Sequence, residues 1–160
     1  MSRAFHTVRR DVLLEVLHSF LDACDLRIVQ MLLTNTWLES RVRGAPLEKF
    51  STNIGVPEGD SLSTVLFIFY LEAALKELRQ ALPVRPLSDG GLPLNIGYAD
   101  DVGFISHSEA YLRELETIAP TILGKWHLNI NASKTEYAEV SRKPDRTDEV
   151  WRSVKKLALC

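Results

Sequence analysis

The sequence LNIGYADDVGFI, residues 94–105, places two adjacent acids between two apolar runs. This pattern predicts two β-strands, at 93–98 and 102–106, joined by a tight turn. Successive side chains of a strand point to opposite faces, so Asp100 and Asp101 can serve one site only if the chain bends beside them. We therefore predict a β-hairpin with both carboxylates at its turn. For this segment alone, a solvated turn without function is the preferred interpretation, because aspartate is common in turns.

The rest of the chain predicts mixed helices and strands. Predicted helices run over 7–24, from an Asp25 cap to about 37, from Asp60 or Ser61 to about 82, from Ser106 to about 124, and over 148–156. A second hairpin is predicted from strands over 38–43 and 47–54, joined by residues 44–46, and a further strand over 135–140. Since no regular βαβ alternation or linker is present, we predict one α+β domain over residues 1–160, with a largely antiparallel sheet packed against helices.

Composition excludes several classes of protein. Apolar residues make up 46% and charged residues 25% of the chain, as in ordinary globular domains. No segment reaches the ~18 apolar residues of a membrane span, and no secretory signal follows Met1, so we expect an intracellular protein without a membrane partner. The net charge of −2 gives no argument for nucleic-acid binding, and basic groups such as Arg9–Arg10 are interpreted as solvated surface.

A second informative segment is GVPEGDSLS, residues 55–63. Its two glycines permit a close backbone approach that a side chain would block. The segment leads into a predicted helix N-terminus, where anionic groups are favoured. An ordinary loop that ends in a helix cap remains the alternative.

The third segment is LNINASKTE, residues 128–136. Its lysine, Lys134, is either a surface charge, which is the commoner case, or a group that approaches a phosphate.

Taken in order, the three segments resemble the motif set of reverse transcriptases: a Gly-Val-Pro-x-Gly-Asp loop, a long helix, Tyr-Ala-Asp-Asp, and Asn-x-x-Lys-Thr-Glu. The opening SRAFHTV, residues 2–8, is similar to the first palm motif of that family. The resemblance spans nearly the whole chain. Ala99 resembles non-LTR retrotransposon and group II intron enzymes more than retroviral ones.

The resemblance implies a polymerase palm and a role for each matched residue. Asp100 and Asp101 would hold two Mg²⁺ ions, for which Mn²⁺ can substitute, and Lys134 would stabilise the departing pyrophosphate. Phe5 would pack under the sugar and exclude a 2′-hydroxyl. The substrate-binding set implied by the family comprises Phe5, Gly55, Pro57, Glu58, Gly59 and Tyr98.

The chain also departs from the family pattern. The family's first catalytic aspartate would fall one position before Met1, so the chain is expected to be a fragment that starts just after it and ends near the primer grip, with fingers and thumb largely absent. Glu58 replaces the usual glutamine, and His6 replaces a common aspartate. Two functions stay open: a fragment of an RNA-directed DNA polymerase that uses an RNA template, a DNA primer and dNTPs, or an inactive or repurposed binding module.

Overall fold

A computed structural model describes residues 4–57, 59–84 and 93–138, and the backbone of 154–158. The chain forms two compact units. The first unit comprises Phe5–Ala73, and the second comprises Met1–Ala4 with Ala74–Cys160. Helix α4, Ser61–Ala81, contributes to both units. Mixed helices and antiparallel strand pairs confirm the predicted α+β class.

The first unit contains three helices before its strands. These are α1, Ala4–Thr7, α2, Arg10–His18, and α3, Ala23–Leu33. Two short antiparallel ladders follow: β1, Thr36–Leu38, pairs with β4, Phe50–Thr52, and β2, Arg41–Val42, pairs with β3, Ala45–Pro46. The predicted second hairpin is thus confirmed, but it turns at Arg43 and Gly44, both with positive φ, and Ala45–Pro46 of the predicted connection form β3.

The helix boundaries near the N-terminus differ from the prediction. The expected single helix over 7–24 is wrong at both ends. The chain leaves the helix after α1, where Arg9 forms a β-bridge with Ile54, and α2 ends at His18. The predicted Asp25 cap is wrong because the carboxylate of Asp22 accepts hydrogen bonds from the amides of Cys24 and Asp25, at 2.8 and 2.9 Å. A side-chain oxygen that satisfies two free N–H groups fixes the start of a helix.

The second unit is built on a four-stranded antiparallel sheet in the order β5-β6-β8-β7. Its strands are β5, Asn95–Tyr98, β6, Asp101–Ile105, β7, Glu136–Ala138, and β8, Val154–Ala158. The predicted last helix over 148–156 is therefore wrong at 154–156, while 148–153 lie outside the described residues.

Helix α5, Glu109–Lys125, follows β6. Its cap is Ser108, which accepts a hydrogen bond from the Tyr111 amide at 3.3 Å, rather than the predicted Ser106. The helix continues through Pro120 and past Gly124. Its last turn is joined to α4, because the Trp126 ring donates to the Glu77 carboxylate at 2.7 Å and thereby lowers the pKa of that carboxyl.

Each unit has its own set of buried apolar side chains. Those of the first unit include Val8, Leu13, Leu17, Leu33, Val56, Phe67 and Tyr70. Those of the second include Leu78, Val102, Phe104, Leu112, Leu115, Leu123 and Leu128. Among the residues that the structure describes, no helix is long and apolar enough to cross a membrane.

Candidate functional site

The predicted acidic hairpin is present. Tyr98 pairs with Asp101, which leaves Ala99 and Asp100 as a two-residue loop between β5 and β6. Ala99 has a φ of 51°, in the left-handed region where a residue with a Cβ costs about 1–2 kcal/mol. Positive φ at the first loop position suits the twist of a two-residue hairpin. The paired strands β5 and β6 therefore hold Ala99 in a backbone conformation that an alanine rarely adopts by itself.

The two faces of this hairpin differ in burial. Val102 and Phe104 are buried, at 1% exposure each, whereas Asp101, the first residue of β6, is half-buried. Tyr98 lies directly across from Asp101, and residues opposite each other in a ladder share a face. Tyr98 is 85% exposed, so Asp101 lies on the solvent face beside an accessible aromatic ring.

Asp100 and Asp101 are suitable ligands for a hard divalent cation. Both are half-buried at the end of a rigid ladder and present carboxylate oxygens. In the described ranges, no group of three or more acidic, histidine or cysteine side chains is close enough together to hold a metal ion. Any further ligands would therefore be water, substrate phosphates or groups outside those ranges.

Lys134 lies at the same end of the sheet as Asp100 and Asp101. It ends the 3₁₀ helix Ala132–Lys134 just before β7, and β7 runs in the direction of β6 because both are antiparallel to β8. β6 starts at Asp101, so the starts of β6 and β7 lie at one edge. Lys134 is exposed, and its ammonium group forms no hydrogen bond within the described part of the chain. Its charge is thus available to a ligand.

In the first unit, the glycine loop (residues 55–57 and 59) forms backbone hydrogen bonds with α1 and with Val8, which follows α1. The Gly55 amide donates to the Val8 carbonyl at 2.8 Å, and the Val56 amide donates to the Phe5 carbonyl at 2.9 Å. A Cβ on Gly55 would lie 2.9 Å from both Cα and O of His6. Glycine at this position therefore has a structural reason: the backbone of His6 occupies the space of a side chain.

Gly59 differs from Gly55. Its φ is 88°, which favours glycine, but a Cβ there would meet nothing within 4 Å. Pro57 is also exposed, whereas Glu58 lies outside the described residues. The accessible part of the glycine loop is therefore Pro57 and Gly59.

Phe5 stacks on a buried ring. Its ring centroid is 4.4 Å from that of Phe67, with 22° between the planes. Phe67 is fully buried and Phe5 is half-buried. Stacking fixes the orientation of the Phe5 ring and leaves part of its surface accessible.

Arg10 is a residue whose position the sequence did not predict. Instead of being solvated surface, it is 7% exposed, and burial lowers the pKa of its guanidinium. The sequence did contain an indication of this burial. Arg10 precedes Leu13 and Leu17 by three and seven positions, which is the spacing of one buried helix face. Arg9, which precedes it, pairs with Asp11 at the surface.

The family model described as reverse transcriptase (RNA-dependent DNA polymerase) matches residues 1–151, a range that contains the acidic hairpin, the glycine loop and Lys134. No curated protein matches the sequence. Because the match covers residues 1–151 of a 160-residue chain, the chain belongs to the reverse transcriptase family.

Proposed function

We propose that the chain is the palm of an RNA-directed DNA polymerase of the non-LTR retrotransposon or group II intron type. It adds a deoxynucleotide to the 3′-hydroxyl of a DNA primer on an RNA template, together with fingers and thumb. The supporting observation is the acidic hairpin: Asp100 in a two-residue loop and Asp101 beside the exposed ring of Tyr98, in a chain that matches the family over most of its length.

Asp100 and Asp101 would hold Mg²⁺, or Mn²⁺ in its place. Mg²⁺ commonly takes one or two protein carboxylates and completes its shell with water and substrate phosphates, so two adjacent carboxylates fit it. When bound, a pair of such ions supplies activation of the primer hydroxyl and stabilisation of the pyrophosphate leaving group.

The remaining residues bind and orient the substrate. Lys134, exposed at the acidic edge of the sheet, would donate a proton to the departing pyrophosphate or stabilise its charge. Pro57 and Gly59 would contact the nucleotide and template, and Glu58 would lie near the phosphates. Tyr98 would offer its exposed ring to the substrate. Gly55 would act indirectly, by fixing the glycine loop against His6.

Primer extension on an RNA template tests this function. The enzyme should contain the chain, a preceding segment with an aspartate five residues before Phe5, and fingers and thumb. We expect Mg²⁺-dependent extension by dNTPs with the sequence dictated by the template, and none from the 160-residue chain. If the folded, assembled enzyme binds the primer–template but does not extend the primer, the chain is a repurposed binding module instead.

Replacing Phe5 by Ala in that enzyme should relax sugar selection. The Phe5 ring is held by Phe67, so a 2′-hydroxyl that meets it cannot displace it easily. We expect the ratio of kcat/KM for dNTP over rNTP to fall by about tenfold or more, the scale of one lost steric contact. Both substrates must be measured in the same enzyme. Unchanged selectivity would show that the ring serves only the core.

A further inference from the structure

Protein acceptors bind two of the three nitrogens of the Arg10 guanidinium, Nε and Nη1. Its Nε donates to the Gly55 carbonyl at 2.8 Å. Its Nη1 donates to the carbonyls of Leu33 and Thr52 at 2.6 and 2.8 Å, and to the hydroxyl of Thr36 at 3.1 Å. Four acceptors from two segments, 33–36 and 52–55, fix the plane of the group, so it does not need to be ordered again when a ligand binds.

The remaining nitrogen, Nη2, forms no hydrogen bond in the part of the chain that the structure describes. No buried side-chain nitrogen or oxygen there lacks a partner, so Nη2 is open to solvent although the residue is 7% exposed. Arg10 lines a pocket of about 270 Å³ in the first unit. The side chain of Arg10 is therefore accessible from that pocket.

The charge of Arg10 also lacks a counter-charge. Its hydrogen-bond partners are carbonyls and a hydroxyl, and no ion pair to it forms among the described residues. The nearest acid along the chain, Asp11, is bound by Arg9, whose hydrogen bonds lower the pKa of the Asp11 carboxyl. Buried charges in proteins are normally paired, so an uncompensated buried cation beside a pocket favours an anion.

The pocket has room and access for such a ligand. Its walls include the polar groups Thr36 and Thr52 and the apolar residues Leu38, Ile54 and Val56. Leu38 and Ile54 are 42% and 61% exposed, so they form a rim at the protein surface. A phosphate group fills only part of about 270 Å³, which leaves space for the group that carries it.

We propose that this pocket binds a phosphate group through Nη2 of Arg10. The phosphate belongs either to a nucleotide or to the backbone of a nucleic-acid strand. The pocket is formed by residues of the first unit, whereas the acidic hairpin belongs to the second. The existence of the phosphate site does not depend on the proposed polymerase function. Charge-assisted hydrogen bonds to a held guanidinium supply the affinity, and the adjoining Gly55 carbonyl links occupancy to the glycine loop.

Titration of the 160-residue chain with inorganic phosphate at constant ionic strength tests the proposal. The probes are the NMR signals of the Arg10 side-chain Nε–H and of the Gly55 and Val56 amides. We expect saturable shifts at these three groups, and weaker or absent shifts with acetate. Shifts that do not saturate, that spread over all surface arginines, or that acetate reproduces with equal affinity would overturn the proposal.

Two substitutions separate the pocket from general surface charge while Arg10 stays intact. Ile54→Glu places a carboxylate at the rim, where it competes for the guanidinium, so phosphate affinity should fall by about tenfold or more. Ile68→Glu is the matched control, because Ile68 is also exposed, at 53%, and lies outside the pocket lining. It should change the affinity by less than about twofold, as expected of a screened surface charge. Equal effects of the two substitutions would contradict the site.

The source of the phosphate is decided by two further ligands. A dNTP without metal that shifts the three signals more strongly than a short single-stranded oligonucleotide assigns the site to a nucleotide. The reverse order assigns it to a strand backbone. Failure of both to compete with inorganic phosphate would overturn the assignment, whatever the result of primer extension.

Discussion

Replacing Asp100 by Asn should abolish primer extension by the assembled enzyme. The change keeps the shape of the side chain but removes the negative charge and one strong oxygen donor from the hairpin loop. Changes to groups that merely support metal ligands already cost about 10–100-fold, so loss of a ligand should exceed about 100-fold in kcat. The assay is single-nucleotide incorporation at saturating dNTP and Mg²⁺.

Asp25→Asn is the matched control for this substitution. Asp25 is an exposed acid in the first turn of α3, and the change has the same chemistry. It should leave incorporation within about twofold of the unmodified enzyme, since exposed substitutions away from special features cost little. An Asp100→Asn enzyme that is as active as the Asp25→Asn enzyme would remove the acidic hairpin from the mechanism.

Replacing Gly55 by Ala should destabilise the chain strongly. Two effects should lower the free energy of unfolding. A φ of 76° costs about 1–2 kcal/mol for a residue with a Cβ. The new Cβ would also lie 2.9 Å from backbone atoms of His6. Because backbone atoms cannot move away as the end of a flexible side chain can, this steric overlap should lower the free energy of unfolding by about 1–3 kcal/mol more. The total is a large fraction of the about 5–15 kcal/mol that keeps a domain folded. The measurement is urea unfolding.

Gly59→Ala isolates the conformational cost. Its φ of 88° is as unfavourable for alanine, but the space for a Cβ is open. The loss of unfolding free energy should therefore be smaller than for Gly55→Ala by about 1–3 kcal/mol, the steric part alone. Equal losses for the two variants would show that His6 moves aside and that close approach does not explain the glycine.

The acidic hairpin could be predicted because its determinants are local. The apolar runs on each side of Asp100 and Asp101 specify two strands joined by a tight turn. The predicted strands left residues 99–101 for the turn, whereas Asp101 pairs with Tyr98 and the loop has two residues. The strain at Ala99 could not be predicted, because the φ of 51° is imposed by the paired strands and not by the alanine.

Other features depend on partners that are distant in sequence. Residues 154–158 form a strand because they pair with β6 on one side and β7 on the other, and such pairing overrides the weak local preference of a short segment. The glycines of residues 55–63 were predicted to permit a close backbone approach, but the sequence could not show that the backbone approaching Gly55 is that of His6. Arg10 was interpreted as surface because its four acceptors lie 23 to 45 positions along the chain.

The sequence pattern also could not decide which of two neighbouring aspartates caps α3. Asp22 and Asp25 both precede the apolar face of α3, and both are good cap residues. The helix starts at Ala23 because the Asp22 carboxylate reaches two free amides. Such differences of a few residues arise from local hydrogen-bond geometry, and they leave the predicted fold class intact.

The central claim, that the acidic hairpin is the metal-holding centre of this chain, is tested most directly by Mn²⁺. Small amounts of Mn²⁺ added to the ¹⁵N-labelled chain broaden the NMR signals of amides near the ion. We predict broadening centred on Asp100 and Asp101, lost in Asp100→Asn and retained in Asp25→Asn. Broadening centred on other acidic side chains, or unchanged by Asp100→Asn, would contradict the account.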